Sequence, residues 1–437
     1  MGSGGETGSG GASASGGAPG SGGRPGTGGT AAGGTVGTGG VTGTGGVTAT
    51  GGAASGTGGG ATGTGGIGGR LGTGGAAGSS PSGGATGAGG HGAAGGAPSA
   101  SGGAGGTAGT AGGSSGSSGP CDIFQAGNTP CVAAHSTVRA LYASYAGNLY
   151  QVRRASDKTT KDVAVSAPGG YAAASVQDAF CSGTTCTISV IYDQSPNGND
   201  LTKATPGGWL NNGGLEANAT AAKITLAGHP VYGVYTTSNF DNDVGAVGYR
   251  NNTTKSVPKG DEPESMYMVA SGKHYNQYCC FDYGNAETNN KDDGAATMEA
   301  VYFGNSTQWG RGSGNGPWVM ADLEDGVFGG GSFAAPATNT SLVASYVTVK
   351  LNGPSGNRFV LKGADAQSGT LATKYDGARA AGYSPMKKQG AIILGVGGDN
   401  SHTGEGTFFE GCLTAGVPSD AVDDAVQANI VAAGYGR

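Results

Sequence analysis

The chain has 437 residues, 97 of them glycine, and a formal charge of −6. An acidic balance without a basic stripe argues against nucleic acid or an anionic membrane surface as partner. No apolar run reaches the roughly 20 residues that a membrane-spanning helix needs, and neither a P-loop nor a His-Glu-x-x-His motif is present, which removes the commonest phosphate-cradling and zinc-hydrolase chemistries.

Composition divides the chain at about residue 119. Residues 1–119 are almost wholly Gly, Ala, Ser and Thr, without one aromatic side chain, and carry only Glu6, Arg24 and Arg70 as charges. Such a stretch cannot bury enough apolar surface to offset the entropy of ordering glycine, so a disordered tether is expected there. The following region, 120–437, holds every Tyr, Phe and Trp and about −7 of charge. It is long enough for one large domain or two small ones.

The first predicted element of that region follows Cys121 and Cys131, which bracket a short loop. Helical periodicity is read over 133–145 and again over 171–180, and a second short loop lies between Cys181 and Cys186. Strand-like runs rich in β-branched and aromatic residues follow at 187–192, 265–270, 298–303, 318–324, 346–351, 358–362 and 391–396, separated by Gly, Asn, Asp and Pro clusters. A last helix spans 420–433, with Ser419 as N-cap and Gly434 as its stop. Many short strands with a few peripheral helices predict an all-β sandwich or jelly roll.

Cys279 and Cys280 are adjacent. Across a trans peptide their Cα atoms would lie about 3.8 Å apart, whereas an ordinary disulfide prefers roughly 4.4–6.8 Å. A bond between them closes a tight ring, of the kind retained where it serves a site; the alternative is two separate cysteines. Cys412 is left over. No cysteine spacing suits zinc, so no metal is expected. Three local loops look like disulfides of an oxidising compartment. The start Met1-Gly-Ser-Gly-Gly-Glu6 lacks a signal-peptide pattern, so a signal or lipid anchor is expected upstream, with the protein extracellular or tethered at a cell surface.

Two segments carry candidate chemistry. In Gly316-Pro-Trp-Val-Met-Ala-Asp-Leu-Glu-Asp-Gly326, strand alternation would set Asp322 and Glu324 on one face in the row of Trp318. Two carboxylates beside an aromatic suit gripping and cleaving a sugar, although a solvent-facing acidic edge has the same pattern. In Gly395-Val-Gly-Gly-Asp-Asn-Ser401 a carboxylate sits on a Gly-rich turn at a strand end, suited to a general acid or to a simple Asx-turn.

Together these segments resemble the catalytic domain of family-54 glycoside hydrolases, the α-L-arabinofuranosidases. The resemblance spans 120–435 and is carried by Pro120-Cys-Asp-Ile-Phe-Gln-Ala-Gly-Asn-Thr-Pro-Cys-Val-Ala-Ala-His-Ser-Thr137, Ile191-Tyr-Asp-Gln-Ser-Pro-Asn-Gly-Asn199, Cys279-Cys-Phe-Asp-Tyr-Gly-Asn-Ala-Glu-Thr288, Gly304-Asn-Ser-Thr307, Gly316-Pro-Trp318 and Gly390-Ala-Ile-Ile-Leu-Gly-Val-Gly-Gly-Asp-Asn-Ser401. It implies a concanavalin-A-like β-sandwich, no cofactor, and a retaining reaction releasing terminal arabinofuranosyl groups from arabinoxylan or arabinan by a secreted, monomeric enzyme. Glu324 matches the nucleophile and Asp399 the general acid/base. Asp322 and the backbone of Gly398 match positions that hold arabinose hydroxyls, Trp309 an aromatic wall, and Cys279 with Cys280 a vicinal disulfide against the sugar. Asp325 is a further candidate binding residue, at a place where the family commonly has Asn. Characterised relatives carry a C-terminal arabinose-binding β-trefoil; as the sequence stops at Arg437, weaker action on insoluble polymer is expected. The competing expectations are a lectin-like sugar binder without chemistry, and a related glycosidase such as a β-xylosidase or galactofuranosidase.

Overall fold

A computed structural model describes residues 118–240 and 244–437; the tether expected at 1–119 lies, but for its last two residues, outside them. Two antiparallel sheets stack face to face. The first runs, in hydrogen-bonded order, through Ala372–Gly377, Phe359–Asp365, Tyr346–Gly353, Glu264–Tyr275, Gly406–Ala415, His229–Thr236 and Ala222–Leu226, with Cys131–Ser136 also paired to Gly406–Ala415. The second has ten strands: Val327–Phe328, Trp318–Asp322, Glu299–Gly304, Asp282–Ala286, Ala391–Leu394, Tyr249–Asn251, Leu201–Lys203, Cys186–Ile191, Asn148–Arg154 and Thr160–Ala164. This is the predicted β-sandwich.

Strand alternation explains how the ten-stranded sheet serves two purposes. Tyr283, Val301, Phe303, Val319, Ala321, Ile392 and Leu394 turn inward and join the main core between the sheets. Their neighbours Ala286, Ala300, Ala391 and Ile393 belong to a separate cluster on the other side, as do Tyr302, Trp318 and Met320. The sheet is therefore buried on both faces, and its outer face is free to build a site. The outer face of the first sheet is covered instead by the helix Asp420–Ala433. Lys350 and Lys362 meet Asp423 there at 3.1 and 2.7 Å.

All seven predicted strands exist, with shifted ends. The last helix also has its predicted limits: Ser419 Oγ accepts from the Val422 N–H at 3.4 Å, and Gly434 is left-handed at φ 78°. The helix read over 171–180 is reduced to Ala174–Phe180. The helix read over 133–145 does not form. Cys131–Ser136 is a strand there, with all six residues buried. Burial on both faces removes the alternation that marks a strand, leaving an apolar spacing that mimics a helix. A short helix, Pro120–Ala126, was not anticipated.

Disulfides close Cys121 to Cys131 and Cys181 to Cys186, with Cα separations of 5.6 and 5.8 Å. Cys412, left over by these pairs, is a buried free thiol, and burial pushes its pKa up. The run Ile191–Asn199 is structural: Asp193 accepts from the backbone N–H groups of Ala134, Ser195 and Asn199, each at 2.8 Å. No helix among the described residues is long and apolar enough to cross a membrane.

Candidate active site

A cavity of about 450 Å³ opens on the outer face of the ten-stranded sheet. All eight residues singled out from sequence line it: Glu324, Asp399, Asp322, Trp309, Cys279, Cys280, Gly398 and Asp325. They come from four separate segments, brought together by sheet register.

The strand Trp318–Asp322 pairs with Glu299–Gly304, placing Trp318, Met320 and Asp322 on the outer face. It ends at Asp322, so the expected continuation of the strand to Glu324 is not found. The chain turns back into Val327–Phe328, closed by a Leu323 N–H to Gly326 carbonyl bond of 3.1 Å. Glu324 and Asp325 occupy this turn with φ of 60° and 54°, left-handed values that cost non-glycine residues energy and recur at functional sites. Asp322 Oδ1 accepts the Glu324 N–H at 3.2 Å. Glu324 thus reaches the cavity from a tight turn rather than along a strand face, because Glu-Asp-Gly is turn sequence more than strand sequence.

Asp399 arrives from the Gly-rich turn after Ala391–Leu394 and is half-buried. A Cβ on Gly398 would collide with the carboxylate oxygens of Glu287 and Glu324. Only a bare backbone fits between those acids. Asp399 does make the Asx-turn foreseen as the bland reading, its Oδ1 accepting the Ser401 N–H at 2.8 Å, while its carbonyl accepts the Trp209 N–H at 3.0 Å. The turn is fixed from below by Arg250, whose Nη1 donates to the Gly398 carbonyl at 2.7 Å and to Asn400 Oδ1 at 3.1 Å, and whose Nη2 donates to the Glu287 carbonyl.

Cys279 and Cys280 are joined to each other, across a cis rather than the assumed trans peptide, with Cα atoms 2.9 Å apart. Their sulfurs lie 3.5 and 3.1 Å from Asp322 Oδ2 and pack with Tyr302, Trp318, Met320 and Val327, against which Trp309 leans. The Cys279 carbonyl accepts from the Thr403 N–H and hydroxyl at 3.0 and 2.8 Å, tying the sulfur wall to the segment that follows Asp399.

The site is crowded with acids. Burial first, then the charges of Glu287, Asp322 and Asp399, push the Glu324 pKa up to about 11. Burial raises Asp322 to about 7, against hydrogen bonds from Asp282 and the Glu324 N–H. Glu287 likewise rises to about 7 by burial, offset in part by the Thr297 hydroxyl and Arg250. Burial lowers Arg250 to about 10. Burial and the neighbouring charges thus favour the protonated form of Glu324, the residue that the resemblance makes the nucleophile. Sequence reasoning passed over Glu287, Asp282, Arg250 and Asp292, and the exposed aromatics Trp209 and Phe240 at the rim. Asp282 and Glu287 lie inside the Cys279–Thr288 motif, where the cysteines drew the reading; nothing local marks Arg250.

The family model described as "Alpha-L-arabinofuranosidase B, catalytic" matches residues 120–436. The chain is 54% identical over 323 residues to the α-L-arabinofuranosidase B of Emericella nidulans and 53% identical over 322 residues to a probable one of Aspergillus fumigatus, in each case over 72% of this chain and 62% of the relative. The chain therefore spans about 62% of the length of these curated relatives. Among solved structures, a family-54 α-L-arabinofuranosidase carrying a Glu-to-Gln mutation and soaked with 4-nitrophenyl α-L-arabinofuranoside is 50% identical, with a TM-score of 0.69 over 72% of this chain and 66% of that one. A crystal structure of an arabinofuranosidase with arabinofuranosyl-α-1,2-xylobiose gives the same identity and TM-score, over 72% of this chain and 65% of that one. With both its sequence and its fold matched, the chain belongs to the α-L-arabinofuranosidase B catalytic family, glycoside hydrolase family 54.

Proposed function

We propose that the chain is an exo-acting α-L-arabinofuranosidase that removes terminal arabinofuranosyl groups by double displacement with retention. The observation that carries this is the convergence of Glu324 and Asp399, from two unrelated turns, at one cavity walled by Trp309 and the cysteine pair. Its volume of about 450 Å³ suits one sugar unit with its leaving group outside. In this reading Asp322 and the Gly398 backbone hold sugar hydroxyls.

Glu324 attacks the anomeric carbon while Asp399 gives its proton to the departing alcohol; Asp399 then takes a proton from water as the glycosyl–Glu324 ester is hydrolysed. The crowding of acids supports this. Attack needs one proton shared between Glu324 and Asp399, and the cluster retains one to high pH. Positive charge developing at the anomeric carbon favours an ionised Glu324, which leaves that proton to the general acid. The proposed substrates are arabinose-bearing plant polysaccharides such as arabinoxylan and arabinan, in agreement with the ligands of the solved relatives. The two ordinary disulfides fit an extracellular or surface-tethered setting.

The test is release of 4-nitrophenol from 4-nitrophenyl α-L-arabinofuranoside, with Glu324→Gln alongside. Turnover that vanishes in the variant and returns with azide supports the assignment. Folded wild-type protein without turnover points to the lectin-like reading or to another glycoside.

A further inference from the structure

Asp282 lies on the strand Asp282–Ala286, its side chain on the outer face beside the cavity floor. It is fully buried, and neither carboxyl oxygen has a hydrogen-bond partner as long as every neighbouring acid is counted as ionised. Sheet register puts Asp282 opposite Tyr302, which pairs with Met320; one row on, Gly284 faces Ala300 and Ala300 faces Asp322. Gly284 and Ala300 leave the space through which Asp282 and Asp322 meet diagonally. A carboxyl oxygen of each lies within 4.8 Å of the other and of both cysteine sulfurs. The sulfurs are bonded to each other, so they donate nothing to either acid.

Two buried carboxylates repel, but one proton between them makes a strong hydrogen bond. Asp322 reaches the cavity and accepts the Glu324 N–H, which favours its ionised form. Asp282 has no such donor. We propose that Asp282 is a positioning residue that stays protonated and donates to Asp322, holding Asp322 as an oriented, ionised acceptor for a sugar hydroxyl. Burial, then the Asp322 charge, with Glu324 and Asp399 behind it, raises the proton affinity of Asp282; Tyr302 is the other titratable group against it. This role rests on the arabinofuranosidase reading, in which Asp322 binds substrate.

The test pairs two variants. Asp282→Asn keeps a donor toward Asp322; Asp282→Leu keeps the shape and removes it. On 4-nitrophenyl α-L-arabinofuranoside, Asp282→Leu is expected to raise KM by about 10- to 100-fold with a smaller change in kcat, while Asp282→Asn stays within about 3-fold of wild type at pH 7. Infrared difference spectra supply a readout without substrate: wild-type protein at pH 7 shows a protonated-carboxyl C=O stretch that Asp282→Asn lacks. Equal impairment of the two variants, wild-type behaviour of both, or an unchanged carboxyl band in Asp282→Asn overturns the proposal. Should Asp282→Leu not fold, Asp282→Asn and its infrared spectrum still decide. Absence of wild-type turnover would count against the enzyme reading, whereas the infrared result judges Asp282 separately.

Discussion

One strand, Glu299–Gly304, separates two buried clusters of charge, and they are built on opposite rules. On its inner face Glu299 meets Arg379 at 2.7 Å and Lys388 at 3.0 Å, and Lys388 also meets Glu264 at 3.2 Å. Two acids face two bases, all at most 3% exposed. Burial opposes the charge on Glu299, but Lys388 and Arg379 outweigh it and its pKa falls; at Glu264 burial outweighs the pull of Lys388, and its pKa rises to about 7. On the outer face lie Asp282, Glu287, Asp322, Glu324 and Asp399, with Arg250 as the cation the electrostatics bring to them. Balanced charge locks the sheets together. Unbalanced charge keeps protons mobile, which is what an acid/base site needs.

The largest effects separate the two clusters by what they damage. Glu324→Gln should cut turnover by on the order of 10³-fold or more, since it removes the attacking group, while leaving the protein folded. Glu299→Gln should do the reverse. It strands Arg379 and Lys388 without their shared carboxylate, and should destabilise by about 3–5 kcal/mol in urea unfolding. A neutral Glu299→Gln would break the comparison, because the inner cluster would then contribute nothing as a set of ion pairs.

A smaller effect concerns pH. Glu324 binds its proton more tightly in the folded chain than unfolded, so its contribution to stability is fully present below the ordinary carboxylate range. That contribution is lost as pH rises toward about 11. The folded state then binds more protons than the unfolded one, and stability falls with rising pH. Glu324→Gln removes this term and should gain on wild type by roughly 1 kcal/mol for each pH unit above about 5. Urea midpoints at pH 6, 7 and 8 check this. Parallel curves for the two proteins would mean that Glu324 is ionised throughout and that the acids do not share protons.

How far the site was readable follows from how local its causes are. The strands at 265–270, 298–303 and 391–396 carry β-branched and aromatic runs, and the last helix carries both its cap and its stop, so neighbours in sequence decide them. The strand Cys131–Ser136 owes its state to pairing with Gly406–Ala415, which no window around it contains. The site divides the same way. Asp399 announces itself by its glycines, and Glu324 by its place in a motif of the family. Arg250 acts through a carbonyl 148 residues away. Asp282 meets Asp322 only because Gly284 and Ala300 fall into register between them.

Asp325 tests whether burial or mere acidity matters. It is exposed at the rim, and burial followed by the charge of Asp292 raises its pKa, with Asp399 a weaker neighbour. It is not among the groups that act most on Glu324. If the outer cluster works through desolvated charge, removing this solvated one should matter little, because exposed pairs are screened and weak. Asp325→Asn should keep kcat/KM within about 3-fold and move the basic limb of its pH profile toward acid by roughly 0.3 of a unit, since one less negative charge beside the acid cluster makes its proton easier to lose. The shift should shrink further in 0.5 M salt. A change of more than about one unit, or one that resists salt, would show that Asp325 couples to the acids through substrate or through closure of the rim, and the boundary drawn here between buried and exposed charge would have to move outward to include it.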